Sequence, residues 1–414
     1  MIGAVERKAV VLQRCDQFVG RTTNWLYDHL RYVPGRNLLV LCDQLANRGE
    51  FPLLEAREAN GNSISRRFWR RFRGNRIYPT DALWLRRWRP GLLHSHFGYV
   101  AIEDFELQKF LGTPWLVSFY GADIYQQKRF PAWRDSYSRL FAESNLVLAL
   151  GPHMAASLQL LGCPKDKIVV HPLGVDVDSL PSAPRALSPG APLKVLFAGT
   201  FREKKGVEYL IQAAAKARKR GLRLHLTLVG DAARKPGDFA TKEAIFRQIS
   251  SLAIDDIVTH RPFLKFDELV RLALQSHVFV APSVTSADGD AEGTPFVLQQ
   301  MMATGMPVVA TIHSDTPFIF GQHRNRLVPE RDADAIAARL EEYADQPEHL
   351  IKDGMQFRER IRTVFNIRDC AARLGEIYDK VQQGGGITTR TTLVERLHQE
   401  APDVVSPRRS DVLM

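Results

Sequence analysis

At 414 residues, 45% hydrophobic and 25% charged, the chain exceeds what one hydrophobic core usually serves, so two globular domains are expected. It holds no run of about eighteen apolar residues, which excludes a transmembrane helix, and Glu6 and Lys8 stand where a signal peptide needs apolar residues, so a cytoplasmic protein is expected. The net charge of +10 is concentrated in residues 1–90, with 17 Lys or Arg against 8 Asp or Glu, a bias that suits nucleic acid, an anionic membrane or a phosphorylated substrate.

Short apolar runs then alternate with longer amphipathic ones. KAVVLQR (8–14), NLLVLC (37–42), GLLHSHF (91–97), PWLVSFYG (114–121), NLVLALG (145–151) and KIVVHPLG (167–174) read as strands. Continuous apolar strands separated by helical stretches predict a parallel sheet covered on both faces. A Pro/Ser/Ala-rich linker follows, and the pattern restarts. KVLFAGT (194–200) precedes a helix over 206–220, then LRLHLTLVG (222–230), IVTHRPFL (257–264), SHVFVAPS (276–283), MPVVATIH (306–313) and NRLVPE (325–330). The fold class is therefore α/β, with two Rossmann-like doubly wound parallel-sheet domains. Their expected bounds are 1–180 and 194–365, with a linker over 181–193, a helix over 366–383 and a tail over 384–414. Within the tail LVERLHQE (393–400) predicts a short helix. The four cysteines (Cys15, Cys42, Cys163, Cys370) lack Cys-x-x-Cys spacing, so neither a zinc knuckle nor a disulfide framework is expected.

In doubly wound sheets ligands sit at the carboxyl ends of the strands. The loop 284–295, with Glu292 and glycines ahead of an apolar helix near 295–304, can present N–H groups and a helix dipole to an anion. An ordinary loop with a capping acid accounts for the same residues. Gly199-Thr-Phe-Arg-Glu-Lys-Lys-Gly206 puts basic side chains between glycines directly after a strand, as a diphosphate requires, with a solvated charge run as the alternative. His94 and His96 follow a strand at i and i+2 without a third ligand nearby, so no metal is expected there. Asp288 and Asp290 could bridge a diphosphate to Mg²⁺, but the basic residues already offer neutralisation. Residues 61–76, GNSISRRFWRRFRGNR, hold six arginines and no acid. As a helix they place Ile64, Phe68 and Phe72 on one face with Trp69 at its border. Trp84, Arg86, Arg87, Trp88 and Arg89 extend the theme, so contact with an anionic membrane surface through 61–89 is expected. Packing of Phe68 and Phe72 into the first domain is the alternative, and no nucleic-acid-binding module accompanies the charge.

On Glu292, Gly293, Pro295, Gly305, Pro307, Val308 and Val309 the chain resembles glycosyltransferase family 4. These are retaining enzymes of GT-B fold that include glycogen and sucrose synthases and bacterial polysaccharide enzymes. His94-Ser-His-Phe resembles a motif of the exopolysaccharide, colanic-acid-type branch. The resemblance implies two domains facing across a cleft. The N-terminal one would bind acceptor, the C-terminal one nucleotide sugar, and the helix 366–383 would cross back toward the first. It implies a catalytic set of Glu292, Lys205, Arg202 and His96. Donor contacts would come from Gly199, Thr200, Gly293, Thr294, Pro295, Gln300, Tyr120 and Asp123, with Lys204 facing solvent. Three positions depart from the family pattern. Gln300 replaces the glutamate that binds ribose, and Thr200 replaces an arginine for which Arg202 could substitute. Tyr120 replaces a histidine near the donor sugar; with a reference pKa of about 10 it can position but not act as a base near neutrality. Asp123 would orient the acceptor or cap its own loop. The implied activity is transfer from a nucleotide-diphosphate sugar, UDP preferred to GDP, to a lipid-linked or polysaccharide-precursor acceptor. No cofactor or metal is required, and the protein would sit peripherally on the inner face of the plasma membrane. A soluble transferase with a small acceptor, or a non-catalytic sugar-nucleotide binder, are the alternatives, the latter resting on Thr200, Tyr120 and Gln300. A phosphorylase would want a pyridoxal-binding lysine, for which no motif is present.

Overall fold

A computed structural model describes residues 10–20, 24–51, 54–59, 77–126, 130–233 and 236–384. The expected interfacial stretch 61–76 and the 393–400 helix lie outside the described residues. The chain forms two compact units. The first comprises the described residues up to Gly174 together with those from Ile367 on, and the second spans Val175–Asn366. Val175 at the entry to the second unit and Asn366 at its exit form a parallel bridge.

Unit one is a seven-stranded sheet in the order β3-β2-β1-β4-β5-β6-β7. Its strands are β1 (Val10–Phe18), β2 (Asn37–Leu45), β3 (Glu55–Glu58), β4 (Leu92–His96), β5 (Trp115–Ser118), β6 (Leu146–Ala149) and β7 (Ile168–Val170). Every pairing is parallel, with Cys15 opposite Cys42 and His94 opposite Leu116. The interior strands are mostly apolar because helices cover both faces, with polar residues concentrated in β1 and β4. Val11, Val40, Leu92, Leu116, Leu146 and Val169 share one core with Leu374, Ile377 and Tyr378 of the helix Ile367–Gln382. That C-terminal helix is thus part of unit one's core. The strand β3 was not expected from the sequence. Its segment EARE is polar because it pairs only with β2, at the sheet's edge, where an apolar run is not required. All four cysteines are buried and unpaired.

Unit two is a five-stranded sheet in the order β10-β9-β8-β11-β12. It comprises β8 (Leu193–Ala198), β9 (Leu224–Val229), β10 (Val258–Arg261), β11 (Val278–Ala281) and β12 (Val308–Ala310). Its core joins Val195, Phe197, Leu226, Val278 and Val309 to Leu210 and Ala214 of the helix Val207–Lys219 and to Ile336 and Leu340 of the helix Ala333–Asp345. The segment 325–330 does not close the sheet as a strand, contrary to expectation. It makes a single parallel bridge, Thr311 to Val328, since Pro329 lacks the N–H that would continue the ladder. In each sheet the strand order reverses once, between β1 and β4 in unit one and between β8 and β11 in unit two. The loops leaving those strands border the two crevices where such sheets bind ligands.

Candidate active site

In unit two the loop after β8 runs from Gly199 through a 3-10 turn, Glu203–Lys205, into the helix Val207–Lys219. Gly206 ends the turn at φ +60°, and a Cβ there would lie 1.9 Å from the carbonyl oxygen of Pro282, just past β11. Only glycine permits both that backbone conformation and that approach. The Lys205 stem lies over Gly199, its Cδ and Cε 3.6 Å from where a Cβ would stand. Gly206→Ala is expected to cost about 2–4 kcal/mol and to displace Lys205, read as a fall in melting temperature together with weaker nucleotide binding.

The loop after β11 is tied to the first by main-chain and charged contacts. Val284 N–H donates to Lys204 O at 2.9 Å, and Ala287 N–H donates to Glu203 Oε1 at 2.8 Å. Lys204 Nζ reaches Asp290 Oδ1 at 3.1 Å and Ala291 O at 3.0 Å, and stands 3.7 Å from Glu292 Oε1. Lys205 Nζ pairs with Glu292 Oε2 at 3.1 Å. Arg202 lies 3.3 Å from Asp238 and 3.6 Å from Asp290. Lys204, expected in solvent, is therefore buried. The loop folds Asp290 over it, and a buried ammonium persists only when paired. Asp288 is engaged by its own loop, Ser286 Oγ donating to it at 2.6 Å, and Asp290 by Lys204 and Arg202 of the other. Among the described residues no group of three or more His, Cys, Asp or Glu could hold a metal ion.

Burial alone would push the Glu292 carboxyl up. The Lys204 and Lys205 ammoniums more than reverse that and hold it at about 2. Glu292 is thus ionised across the working pH range. Its Oε1 and the Thr294 hydroxyl are both buried and have no hydrogen-bond partner among the described residues. Gly293 and Pro295 are buried beside them, and Gln300 is half-buried on the helix Phe296–Ala303. His313, after β12, accepts from Glu292 N–H through Nε2 at 3.0 Å and donates from Nδ1 to Glu330 at 2.5 Å.

Unit one carries a second cluster at the carboxyl ends of β1, β4 and β5. The acceptor oxygen of Gln13 fixes the direction of a closed ring of hydrogen bonds. Gln13 Nε2–H donates to Tyr378 Oη at 3.2 Å, and Tyr378 O–H donates to His94 Nδ1 at 2.8 Å. His94 Nε2–H donates to Ser118 Oγ at 2.8 Å, and the Ser118 hydroxyl donates to Tyr120. Tyr120 O–H donates to His96 Nδ1 at 2.7 Å, and His96 Nε2–H closes the ring on Gln13 Oε1 at 2.9 Å. The two imidazole rings lie 4.1 Å apart. Asp123 accepts from the N–H groups of Gly98, Tyr120 and Gly121 at 2.9, 3.0 and 2.8 Å, so its carboxylate caps the turn that carries Tyr120.

Burial lowers His96 to about 3, with His29 nearby adding to the effect. It also lowers His171 to about 3 and His29 to about 4. These groups protonate in the unfolded chain near 6.5, so their contribution to stability is present above that pH and is lost as pH falls toward the folded values. Asp104 and Asp123, raised by burial to about 7 and about 6, act in the opposite sense, so melting alone does not isolate the histidines. Imidazole nitrogen shifts should show His29, His96 and His171 neutral at pH 5 in the folded protein; an imidazolium signal from His96 at that pH would overturn the ring.

The structure brings Arg202, Lys205, Gly199, Thr200, Glu292, Gly293, Thr294 and Pro295 together at the switch point of unit two. His96, Tyr120 and Asp123 form a separate group in unit one. Lys204 and Asp290 were expected in other roles, as a solvent-facing charge and part of a possible metal bridge, while His313, Glu330, Gln13 and Tyr378 were not anticipated. Gln13 had a signal: a polar side chain inside a continuous apolar strand must find a buried partner.

Two doubly wound parallel sheets, the second with cationic and acidic loops at its switch point, define a nucleotide-sugar-dependent glycosyltransferase of the GT-B class. The comparisons with known proteins give the family. Residues 39–179 match the family described as Glycosyltransferase Family 4, and residues 192–346 that described as Glycosyl transferases group 1. The chain is 30% identical over 283 residues to the putative colanic acid biosynthesis glycosyltransferase WcaL of Escherichia coli K12, covering 67% of this chain and 68% of that one. It is 30% identical over 290 residues to the amylovoran biosynthesis glycosyltransferase AmsK of Erwinia amylovora, covering 69% of each. The solved structure of Anabaena HepE in complex with UDP matches with a TM-score of 0.71 at 15% identity, over 90% of this chain and 100% of that one, which is a likeness of fold. The chain belongs to glycosyltransferase family 4, in its exopolysaccharide, colanic-acid-type branch.

Proposed function

We propose that this enzyme is a retaining transferase that moves a hexose from a UDP-sugar to a hydroxyl of a lipid-linked or polysaccharide-precursor acceptor. The observation that carries the reading is a pair of buried oxygens with no hydrogen-bond partner among the described residues, Glu292 Oε1 and Thr294 Oγ1, beside the Lys205 ammonium. Burying polar atoms without hydrogen bonds costs free energy; a sugar hydroxyl can donate to Glu292 Oε1, and the Thr294 hydroxyl can donate to a sugar or phosphate oxygen. Arg202, Lys205 and the N–H groups around Gly199 and Thr200 would hold the diphosphate, and Gln300 the ribose. Gly293, Thr294 and Pro295 would shape the wall around the donor.

In the reaction the bond from the anomeric carbon to the diphosphate oxygen breaks. The acceptor oxygen bonds to that carbon on the same face, and its proton passes to the departing phosphate. Lys205 and Arg202 stabilise the charge growing on the leaving group, and Glu292 the positive charge growing on the sugar. No cofactor or metal enters this account. His96, with both nitrogens engaged, would serve by fixing Tyr120, and Asp123 by fixing the turn around it.

UDP is preferred to GDP because UDP is the nucleotide in the HepE structure. A saccharide-bearing acceptor is supported by the half-buried rings of Phe97, Tyr99 and Trp133 in unit one. They pack in series at 5.2 and 5.1 Å, and their partly exposed ring edges give an aromatic surface of the kind saccharides contact. A membrane-proximal acceptor is supported by the helix Pro79–Trp88, where Leu83 is 66% exposed beside the exposed Arg86 and Arg87, and Arg86 covers the exposed Phe110. The attachment proposed is peripheral, on the cytoplasmic face; no helix among the described residues is long and apolar enough to cross a membrane.

The test is transfer from UDP- and GDP-hexoses to extracted lipid-linked saccharides, with anomeric configuration assigned by NMR. The expected result is UDP-dependent transfer with the α configuration retained. Binding of every donor with neither transfer nor hydrolysis would favour a non-catalytic binder, and an inverted product would end the retaining reading.

A further inference from the structure

Glu292 is held from its main-chain side as well as through its carboxylate. The loop that carries it leaves β11 and crosses to the helix Phe296–Ala303 with little regular structure of its own. Glu330, beyond β12, grips the loop at two places. Its Oε2 accepts from Thr285 N–H at 3.0 Å, at the start of the loop. Its Oε1 accepts from His313 Nδ1–H at 2.5 Å, and His313 Nε2 in turn accepts from Glu292 N–H at 3.0 Å. Arg331 adds a contact from its guanidinium to the Thr285 carbonyl and lies 3.3 Å from Glu330. The His313 side chain is 1% exposed, so no water competes for its nitrogens.

These bonds leave His313 one tautomer. Nδ1 carries the proton because it faces a carboxylate, and Nε2 is bare because it faces an N–H. We infer that His313 and Glu330 are positioning residues that set where Glu292 stands in the donor site, an inference that rests on the role of Glu292 proposed above. Glu330 orients the imidazole, the imidazole fixes the Glu292 amide, and the amide fixes the direction in which the side chain leaves the backbone. The carboxylate is anchored separately by Lys205, so neither anchor alone defines its position. A catalytic group displaced by a fraction of an ångström loses much of its advantage, so such an outer layer is expected to act on turnover rather than on donor affinity.

Three variants separate positioning from bulk. His313→Ala removes both bonds. Glu330→Gln keeps volume but leaves one carboxyl oxygen in place of two. His313→Gln offers an acceptor and a donor spaced much as the ring nitrogens are. Release of UDP from UDP-hexoses and of GDP from GDP-hexoses, with and without extracted lipid-linked saccharide, gives kcat and donor KM for each. The expected result is kcat lowered about tenfold or more in His313→Ala and Glu330→Gln, with donor KM within about threefold of the parent. His313→Gln should recover to within about threefold of the parent kcat. Should His313→Ala fail to fold, the contrast between Glu330→Gln and His313→Gln carries the same test. Parent-like kcat in Glu330→Gln, or an equal loss in His313→Gln and His313→Ala, overturns the inference. Glu292→Gln in the same assay distinguishes the two readings. Full turnover there sinks the role of Glu292 itself, whereas loss there with full turnover in Glu330→Gln sinks only the positioning role.

Discussion

Glu292→Ala and Lys205→Ala are each expected to lower sugar transfer at least about tenfold, the loss that follows removal of a preorganised charged contact. The two effects should not multiply. Glu292 and Lys205 lie 3.1 Å apart, so each substitution also strips the other residue of its partner, and the double variant should lose less than the product of the single losses. Lys204 cannot stand in for Lys205, because its ammonium is already held by Asp290 and the Ala291 carbonyl. The carboxyl of Glu292, held near about 2, should contribute no limb to the pH–rate profile above about pH 4. Its negative charge is present above that folded value and lost only as pH falls through it. Steady-state transfer assays across pH 5–9 check both points, and near-normal activity in both single variants would mean that the site lies elsewhere.

Tyr378→Phe is the second large effect expected, and it falls on stability. The phenol sits on the helix Ile367–Gln382 and links Gln13 of β1 to His94 of β4. Removing the hydroxyl leaves a buried amide donor and a buried imidazole acceptor without partners, each costing about 1–3 kcal/mol. Unit one should therefore lose about 2–4 kcal/mol, or roughly 5–15 °C in melting temperature for a body of this size. The ring reaches Tyr120 through His94 and Ser118, so the loss should extend to acceptor-dependent turnover while UDP binding stays within about threefold. Thermal melting followed in parallel with UDP titration checks this. An unchanged melting temperature would show that Gln13 and His94 find other partners.

Much of the fold was legible because both sheets are parallel and covered on both faces. Eleven of the twelve strands fall on the apolar runs read from the sequence, and all but β3 are located by them. Two places were hidden for opposite reasons. EARE forms an edge strand, which does not need an apolar face. NRLVPE has the apolar centre of a strand but carries a proline that stops the ladder. In the site, charge and glycine placement exposed the loops 199–206 and 284–295, since an anion-binding turn needs both features close together in sequence. What they could not expose was pairing. Lys204 and Lys205 are adjacent and alike, and only the fold of the second loop decides that one is enclosed by Asp290 while the other reaches Glu292. His313 and Glu330 are distant in sequence from the residue they hold and carry no motif of their own. Of the histidines of unit one, the family resemblance singled out His96 for substrate contact, while sequence alone could not show the bonds that both histidines make. Both belong to a closed ring of hydrogen bonds completed by a tyrosine 284 residues from His94.

The most direct test is the structure of the protein bound to UDP or a UDP-hexose. The diphosphate should lie within hydrogen-bond reach of Lys205 or Arg202 and the N–H groups of the 199–206 loop, with the sugar, when present, against Glu292 and Thr294. A nucleotide ordered at any other position, with Glu292 and Thr294 left uncontacted by the sugar, would contradict the account.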